Sequence, residues 1–256
     1  MLYLTYSEGF KAGGFSDFGL DDPTRFDPEN VKNYEFGFKL ELWEQRLRLN
    51  GAIYHMDYDD IQLAVTRTFA QFDTRFGITN AGKAEMDGAE LEVVVMPIEG
   101  LLVNLTGSYI DAKYNEFIDS FTNSAGELIV SDRKDEPFSY LPETQYSWGV
   151  QYDFDTSFAL ITPRVSGYYK DEIYLGQDPE SFAFVDEATL DDYVVWNARL
   201  AVSPHQFEGL EVSLFVDNFT DKKFFGSGIV NTANVGAVTG IRGVPRRWGI
   251  DVYYSW

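Results

Sequence analysis

The sequence predicts an all-β protein, an antiparallel up-and-down transmembrane β-barrel wall of about ten strands. Three observations carry this. Apolar and polar residues alternate with period two over segments long enough to cross a bilayer when tilted. Short and long connections alternate along the chain. Aromatic residues abound, with 16 Tyr, 21 Phe and 5 Trp, yet mean hydropathy is only −0.23, as in a barrel girdled by aromatics at both membrane boundaries.

The strands follow in order. Leu2, Leu4 and Tyr6 open the pattern, and Tyr34, Phe36, Phe38, Leu40 and Leu42 alternate with Glu35, Gly37, Lys39 and Glu41. Leu47, Leu49 and Ile53 alternate with Arg48, Asn50 and Ala52. Leu91, Val93 and Val95 oppose Glu90 and Glu92, and Leu101, Val103, Leu105 and Tyr109 oppose Asn104, Thr106 and Ser108. Tyr146, Trp148, Val150 and Tyr152 oppose Gln145, Ser147 and Gln151, and Ile161, Val165 and Tyr169 oppose Arg164 and Ser166. Trp196, Ala198, Leu200 and Val202 oppose Asn197 and Arg199, and Leu210, Val212, Leu214 and Val216 oppose Glu211, Ser213 and Asp217. Trp248, Ile250, Val252, Tyr254 and Trp256 close the series. Apolar stretches such as Val93-Val94-Val95-Met96 are strand-sized, far short of a membrane-crossing helix.

Short turns are expected at 43–46, 97–100, 155–156 and 204–209, and long loops at 11–32, 67–75, 114–140, 176–191 and 221–243. Strict alternation of the two predicts that all long loops leave one rim. A soluble β-sandwich also alternates within its strands, but nothing in it requires that asymmetry. The chain shows no helical segment or second domain, and Met1-Leu2-Tyr3-Leu4 begins inside a strand pattern without a secretory signal. It reads as part of a longer wall.

The formal net charge of −21 argues against nucleic acid, whose backbone needs a basic surface. The absence of cysteine removes disulfides, thiolate catalysis and cysteine metal sites. His55 and His205 have no partner at metal-ligand spacing, and Ser131-Asp-Arg-Lys134 matches S-x-x-K without its companion motifs. No catalytic residue, cofactor or metal site is expected. The acidic groups Asp17, Asp21, Asp22, Asp27 and Glu29, then Asp132, Asp135 and Glu136, then Asp186, Glu187, Asp191 and Asp192 suit a solvated face, with Ca²⁺ as the sharper alternative.

Seven segments in order resemble the TonB-dependent outer-membrane receptors. They are Tyr3-Leu-Thr-Tyr-Ser-Glu-Gly-Phe-Lys-Ala-Gly-Gly-Phe15, Pro28-Glu-Asn-Val-Lys-Asn-Tyr-Glu-Phe-Gly-Phe-Lys39, Asp57-Tyr-Asp-Asp-Ile-Gln62, Asn80-Ala-Gly-Lys-Ala-Glu-Met-Asp-Gly-Ala-Glu-Leu-Glu92, Leu141-Pro-Glu-Thr144, Val216-Asp-Asn-Phe-Thr-Asp-Lys-Lys223 and Gly243-Val-Pro-Arg-Arg-Trp248. The aromatic end, with apolar residues at Trp248, Ile250, Val252, Tyr254 and Trp256, resembles the signal read by the outer-membrane barrel assembly machinery.

The resemblance implies the C-terminal part of a 22-stranded barrel that encloses an N-terminal plug, here without the plug or the box that recruits TonB. It implies the outer membrane of a Gram-negative bacterium. The expected function is TonB-energised uptake of a scarce ligand, most commonly a ferric siderophore. A passive porin-like channel and a soluble β-rich binding module are the alternatives.

Charged residues avoid the lipid face, where Arg or Lys costs about 2–4 kcal/mol at the midplane. Glu35, Lys39, Glu41, Arg48, Glu90, Glu92, Arg164 and Arg199 should therefore face the lumen, where the resemblance puts the plug. Arg67, Arg75, Tyr114, Arg133, Lys134 and Tyr140 are the candidate contacts for an anionic ferric chelate. Lipid, plug, TonB and the assembly machinery complete the expected partners. With half a wall, the sheet should stay open, its two edge strands unpaired.

Overall fold

The computed structural model describes residues 1–16, 24–70, 73–176, 188–231 and 237–256. Asp17, Asp21, Asp22, Asp186 and Glu187 lie outside the described residues. Ten long strands form one antiparallel sheet, each beside its predecessor: Leu2–Lys11, Glu29–Leu42, Leu47–Asp59, Lys83–Val95, Leu101–Glu116, Thr144–Tyr152, Ala159–Lys170, Tyr193–Pro204, Leu210–Asp217 and Arg247–Tyr254. They are called the first to tenth wall strands below. A two-residue strand, Phe154–Asp155, adds to the seventh. The first strand pairs only with the second and the tenth only with the ninth among the described residues, so the sheet is open.

Cross-strand register gives the wall two faces, because partners in an antiparallel ladder project to the same side. One row runs Leu40, Leu49, Val93, Leu105, Trp148, Gly167, Trp196. Phe36 and Ile53, Val103 and Val150, and Leu214 and Ile250 lie on the same face. The adjacent row on the other face runs Glu41, Arg48, Val94, Asn104, Gly149, Ser166, Asn197. Trp148 and Trp196 meet edge to face on the apolar side, 4.8 Å between centroids.

Among the described residues, no protein packs against the apolar face. Leu4 is 81% exposed and Trp248 79%, a surface that water disfavours and hydrocarbon accepts. On the second strand, Tyr34 to Leu42 covers about 26 Å at roughly 3.3 Å per residue, close to the apolar band of a membrane barrel. Aromatic pairs mark its loop-side boundary, Tyr6 with Tyr34 at 5.1 Å and Tyr146 with Tyr169 at 4.9 Å. Beyond them the outward face turns polar. His55 Nδ1 lies 2.8 Å from Asp87 and Nε2 3.3 Å from Asp57.

His55 and also His205, whose Nε2 lies 3.1 Å from Asp155, both have carboxylate neighbours. Asp87 reaches His55 across strands, a proximity that spacing along the chain does not reveal. Neither histidine belongs to a group of three potential metal ligands among the described residues.

The four short connections alternate with five long ones as expected, but the long ones are not irregular loops. Each contains a two-stranded hairpin: Gly14–Ser16 with Thr24–Phe26, Gln62–Ala70 with Asp73–Asn80, Ile118–Thr122 with Leu128–Asp132, Ile173–Tyr174 with Thr189–Leu190, and Phe225–Asn231 with Ala237–Arg242. The expected loop at 67–75 is the end of a hairpin beginning at Gln62. Its alternation, Val65, Arg67, Phe69, puts an arginine on the buried side and so reads as polar.

Candidate functional site

The main buried core lies at the long-connection end. Ile61, Val65, Phe69, Ala81, Ala84, Tyr114 and Phe117 form it, with Tyr58, Met86 and Phe138 packed alongside. Tyr58, Ala84 and Tyr114 share one register row on the polar face of the third to fifth strands. The second and third hairpins therefore pack over the inward side of the wall.

Charge is built into this core. Arg67 donates from Nε to Asp119 Oδ1 at 3.2 Å and from Nη2 to Thr79 Oγ1 at 3.2 Å. Arg133 grips Glu136 with Nε at 2.8 Å and Nη2 at 2.7 Å. Its Nη1 lies 3.9 Å from Asp119 Oδ2. All four side chains are buried, which such groups tolerate only when paired and hydrogen-bonded. Aromatic rings cover them: Arg67 lies 5.3 Å from the Phe121 centroid, Arg133 4.6 Å from Phe117, and Phe69 5.1 Å from Phe121.

The remaining candidates fall around this cluster. Arg75 holds Asp73 with two bonds of 2.8 Å and lies 5.0 Å from the Phe69 centroid. That guanidinium keeps the Asp73 carboxyl below its ordinary range. Tyr114 is buried and stacked on Phe138 at 4.0 Å. Tyr140 takes a left-handed backbone, φ 62°, and donates to the Gly228 carbonyl at 3.2 Å. Lys134 is exposed. Of the six, Arg67 and Arg133 are engaged inside the cluster, whereas Lys134 and Tyr140 present solvent-facing surface.

Leu63, Val65, Tyr114, Arg133, Phe138 and Tyr140 border a small cavity of about 190 Å³. A larger one of about 590 Å³ opens between the third and fourth long connections. Among the described residues its lining carries Glu143, Asp171, Glu172 and Asp191 and no lysine or arginine. This carboxylate lining was not picked out from the sequence. Its members are 48 positions apart at the extremes, since 191 − 143 = 48, and come together only through the fold. Asp119 likewise lies 52 residues from Arg67. Only the Arg133-x-x-Glu136 spacing offered a local signal for the buried network.

The connections are stitched to each other. Gln62 Nε2 donates to the carbonyls of Ala12 at 3.0 Å and Asp27 at 3.1 Å, and Asn80 Oδ1 accepts from Asp27 N at 2.7 Å. Ser124 N donates to Phe69 O at 2.8 Å, and Tyr140 N to Tyr174 O at 2.8 Å. Below this cap, Glu35, Lys39, Glu41, Arg48, Glu90, Glu92, Arg164 and Arg199 all share the polar face. The outward residues Trp248, Ile250, Val252 and Tyr254 lie on the tenth strand, and Trp256 is fully exposed beyond it.

An open, two-faced antiparallel wall with a hairpin-rich cap at one rim defines the membrane face of an outer-membrane β-barrel. Residues 1–219 match the family described as TonB dependent receptor-like, beta-barrel, and the chain belongs to that family. Among curated relatives, the pesticin receptor of Yersinia pestis is 26% identical over 249 residues, 94% of this chain and 33% of that receptor. Two solved structures share the fold. The ferric yersiniabactin uptake receptor FyuA from Yersinia pestis has a TM-score of 0.72 at 20% identity, over 99% of this chain and 34% of its own. The siderophore receptor PiuA from Acinetobacter baumannii has a TM-score of 0.71 at 16% identity, over 99% and 33% respectively. The chain thus spans about a third of the length of these proteins. They are transport receptors of the Gram-negative outer membrane.

Proposed function

We propose that this chain is the C-terminal wall of an outer-membrane receptor that takes up a ferric siderophore, energised through TonB, and that it catalyses no reaction. The family match over residues 1–219 carries the reading, and the names of the similar structures support the substrate class. In this reading the hairpin cap receives the ligand, a plug contributed by the rest of the receptor fills the lumen, and the wall sits in lipid. The aromatic run from Trp248 to Trp256 serves recognition by the barrel assembly machinery.

The burial of Arg67 and Arg133 supports a narrower ligand surface. Arg67 and Arg133 act as scaffold, and Lys134, Tyr140 and the carboxylate-lined cavity are the groups left to meet a ligand. Negative potential there favours a chelate that is neutral overall or carries amines over a strongly anionic one. Growth under iron limitation tests this. Deleting the gene, or TonB, should abolish growth on at least one ferric siderophore as sole iron source, with amine-bearing chelates competing better than anionic ones. Unchanged growth on every siderophore offered would contradict the reading.

A further inference from the structure

The tenth wall strand pairs only with the ninth among the described residues, and residues 218–246 separate the two. In a tight hairpin the turn itself sets the register. A connection of this length does not. Alternation excludes a slip by one residue, which would carry Arg247 and Asp251 onto the lipid face. It does not exclude a slip by two, because Trp248, Ile250, Val252 and Tyr254 are all apolar or aromatic. Arg247 with Asp217 at 2.7 Å and Arg199 with Asp251 at 3.1 Å favour the observed register, but both ion pairs are partly exposed and contribute little.

Asn218 closes the base of this connection. It is 1% exposed and has a left-handed backbone, φ 50°, which asparagine tolerates better than most residues. Its backbone N donates to Asn197 Oδ1 at 2.9 Å, and Phe219 N donates to Trp196 O at 2.9 Å, so the kink stays tied to the eighth strand. The side chain joins both arms of the connection. Nδ2 donates to the carbonyls of Lys222 at 2.9 Å and Val244 at 3.1 Å, and Oδ1 accepts from Lys222 N at 2.9 Å. Two carbonyls require the amide nitrogen and one N–H requires the oxygen, a set that neither aspartate nor glycine reproduces. Asp217, directly before Asn218, is the partner of Arg247. One buried side chain therefore ties the end of the ninth strand to the approach of the tenth.

We propose that Asn218 is the register pin of the tenth strand. Its amide selects the pairing of Leu214 with Ile250 over pairings displaced by two residues. It thereby sets the height of the terminal aromatic residues in the membrane, which a slip by two would move by about 7 Å along the strand. This role is independent of the ligand taken up.

The test places cysteine pairs in the full-length receptor, in an otherwise cysteine-free background. Leu214→Cys with Ile250→Cys reports the native register. Leu214→Cys with Trp248→Cys, or with Val252→Cys, reports a slip by two in either direction. With Asn218 intact, the native pair should form the disulfide and the displaced pairs should not. Asn218→Asp keeps the shape of the side chain, and Asn218→Gly keeps the left-handed backbone. Both should raise the displaced disulfides several-fold in receptor that still shows the heat-induced gel-mobility shift of a folded barrel. Native register alone in either folded variant would overturn the proposal. If a variant does not assemble, the native cysteine pair should restore its assembly under oxidising conditions and the displaced pairs should not. Failure of the native pair to rescue, or equal rescue by all three pairs, would overturn it as well.

Discussion

Arg67 and Asp119 lie 52 residues apart in sequence, and both guanidinium contacts converge on one carboxylate oxygen inside the loop cluster. The pair locks the second long connection to the third. Together with Arg133, Glu136 and the rings of Phe117 and Phe121, it makes the two hairpins one unit. In the proposed reading, recognition falls to the surface around that unit.

Removing one partner of this network leaves buried charge uncompensated, which costs about 3–5 kcal/mol. Asp119→Ala in the full receptor should sharply lower amide-exchange protection in peptides covering residues 62–80 and 118–132. The double variant Arg67→Met with Asp119→Leu should recover much of it. Protection unchanged in Asp119→Ala would remove the locking role.

The two faces of the wall should respond oppositely to charge. Leu105→Arg should destabilise the barrel by about 2–4 kcal/mol in vesicles, whereas Asn104→Arg should cost well under half of that. Denaturant unfolding of the two variants compares them directly. Equal costs would mean that adjacent residues do not see different solvents.

Trp148 lies over Gly167 on the lipid face, and an added Cβ there would stand 2.5 Å from Trp148 Cζ2. Gly167→Ala should turn the indole, break its edge contact with Trp196, and cost about 1–3 kcal/mol. Tryptophan emission and quenching by brominated lipid should both change. An unaltered spectrum would show that the ring does not rest on the glycine.

The Asp73 carboxyl is held below its ordinary value by Arg75. A depressed folded-state value means the contribution is present above the unfolded carboxylate range, near pH 4, and is lost as pH falls through the lower native value. Protease sensitivity of the second hairpin should therefore stay flat from pH 8 to about pH 5 and rise only in stronger acid. In Asp73→Asn, that acid-dependent rise should be smaller. A wild-type transition near pH 6 would assign control to another group.

The wall was legible because a membrane strand obeys one rule along its length. Leu49, Leu105 and Ile250 each alternate with a polar neighbour, and period two survives any change in partner strand. The tenth strand's Trp248 and Val252 could be placed outward for the same reason. The hairpin cap was less legible. Arg67 and Asp119 sit on its buried side, so the rule that charge faces water inverts there. Their attraction acts across strands that sequence spacing does not bring together. Arg67 and Arg133 were conspicuous as cations, whereas their burial inside the cap was not legible. The acidic cavity was illegible because Glu143, Asp171 and Asp191 each look like an ordinary solvated carboxylate.

The central claim is that one face of all ten strands meets lipid and the other meets the lumen. Site-directed spin labelling in native outer membranes tests it most directly, and residues 1–256 contain no cysteine to interfere. Labels at Leu105, Trp148, Val165, Trp196 and Ile250 should be accessible to oxygen and shielded from a water-soluble nickel chelate. Labels at Asn104, Ser147, Arg164, Asn197 and Asp251 should lose the oxygen preference. A period-two swing across all these neighbours is the predicted result. Equal accessibility of the two sets, or a strong response to the nickel chelate at Leu105 and Trp196, would contradict the account.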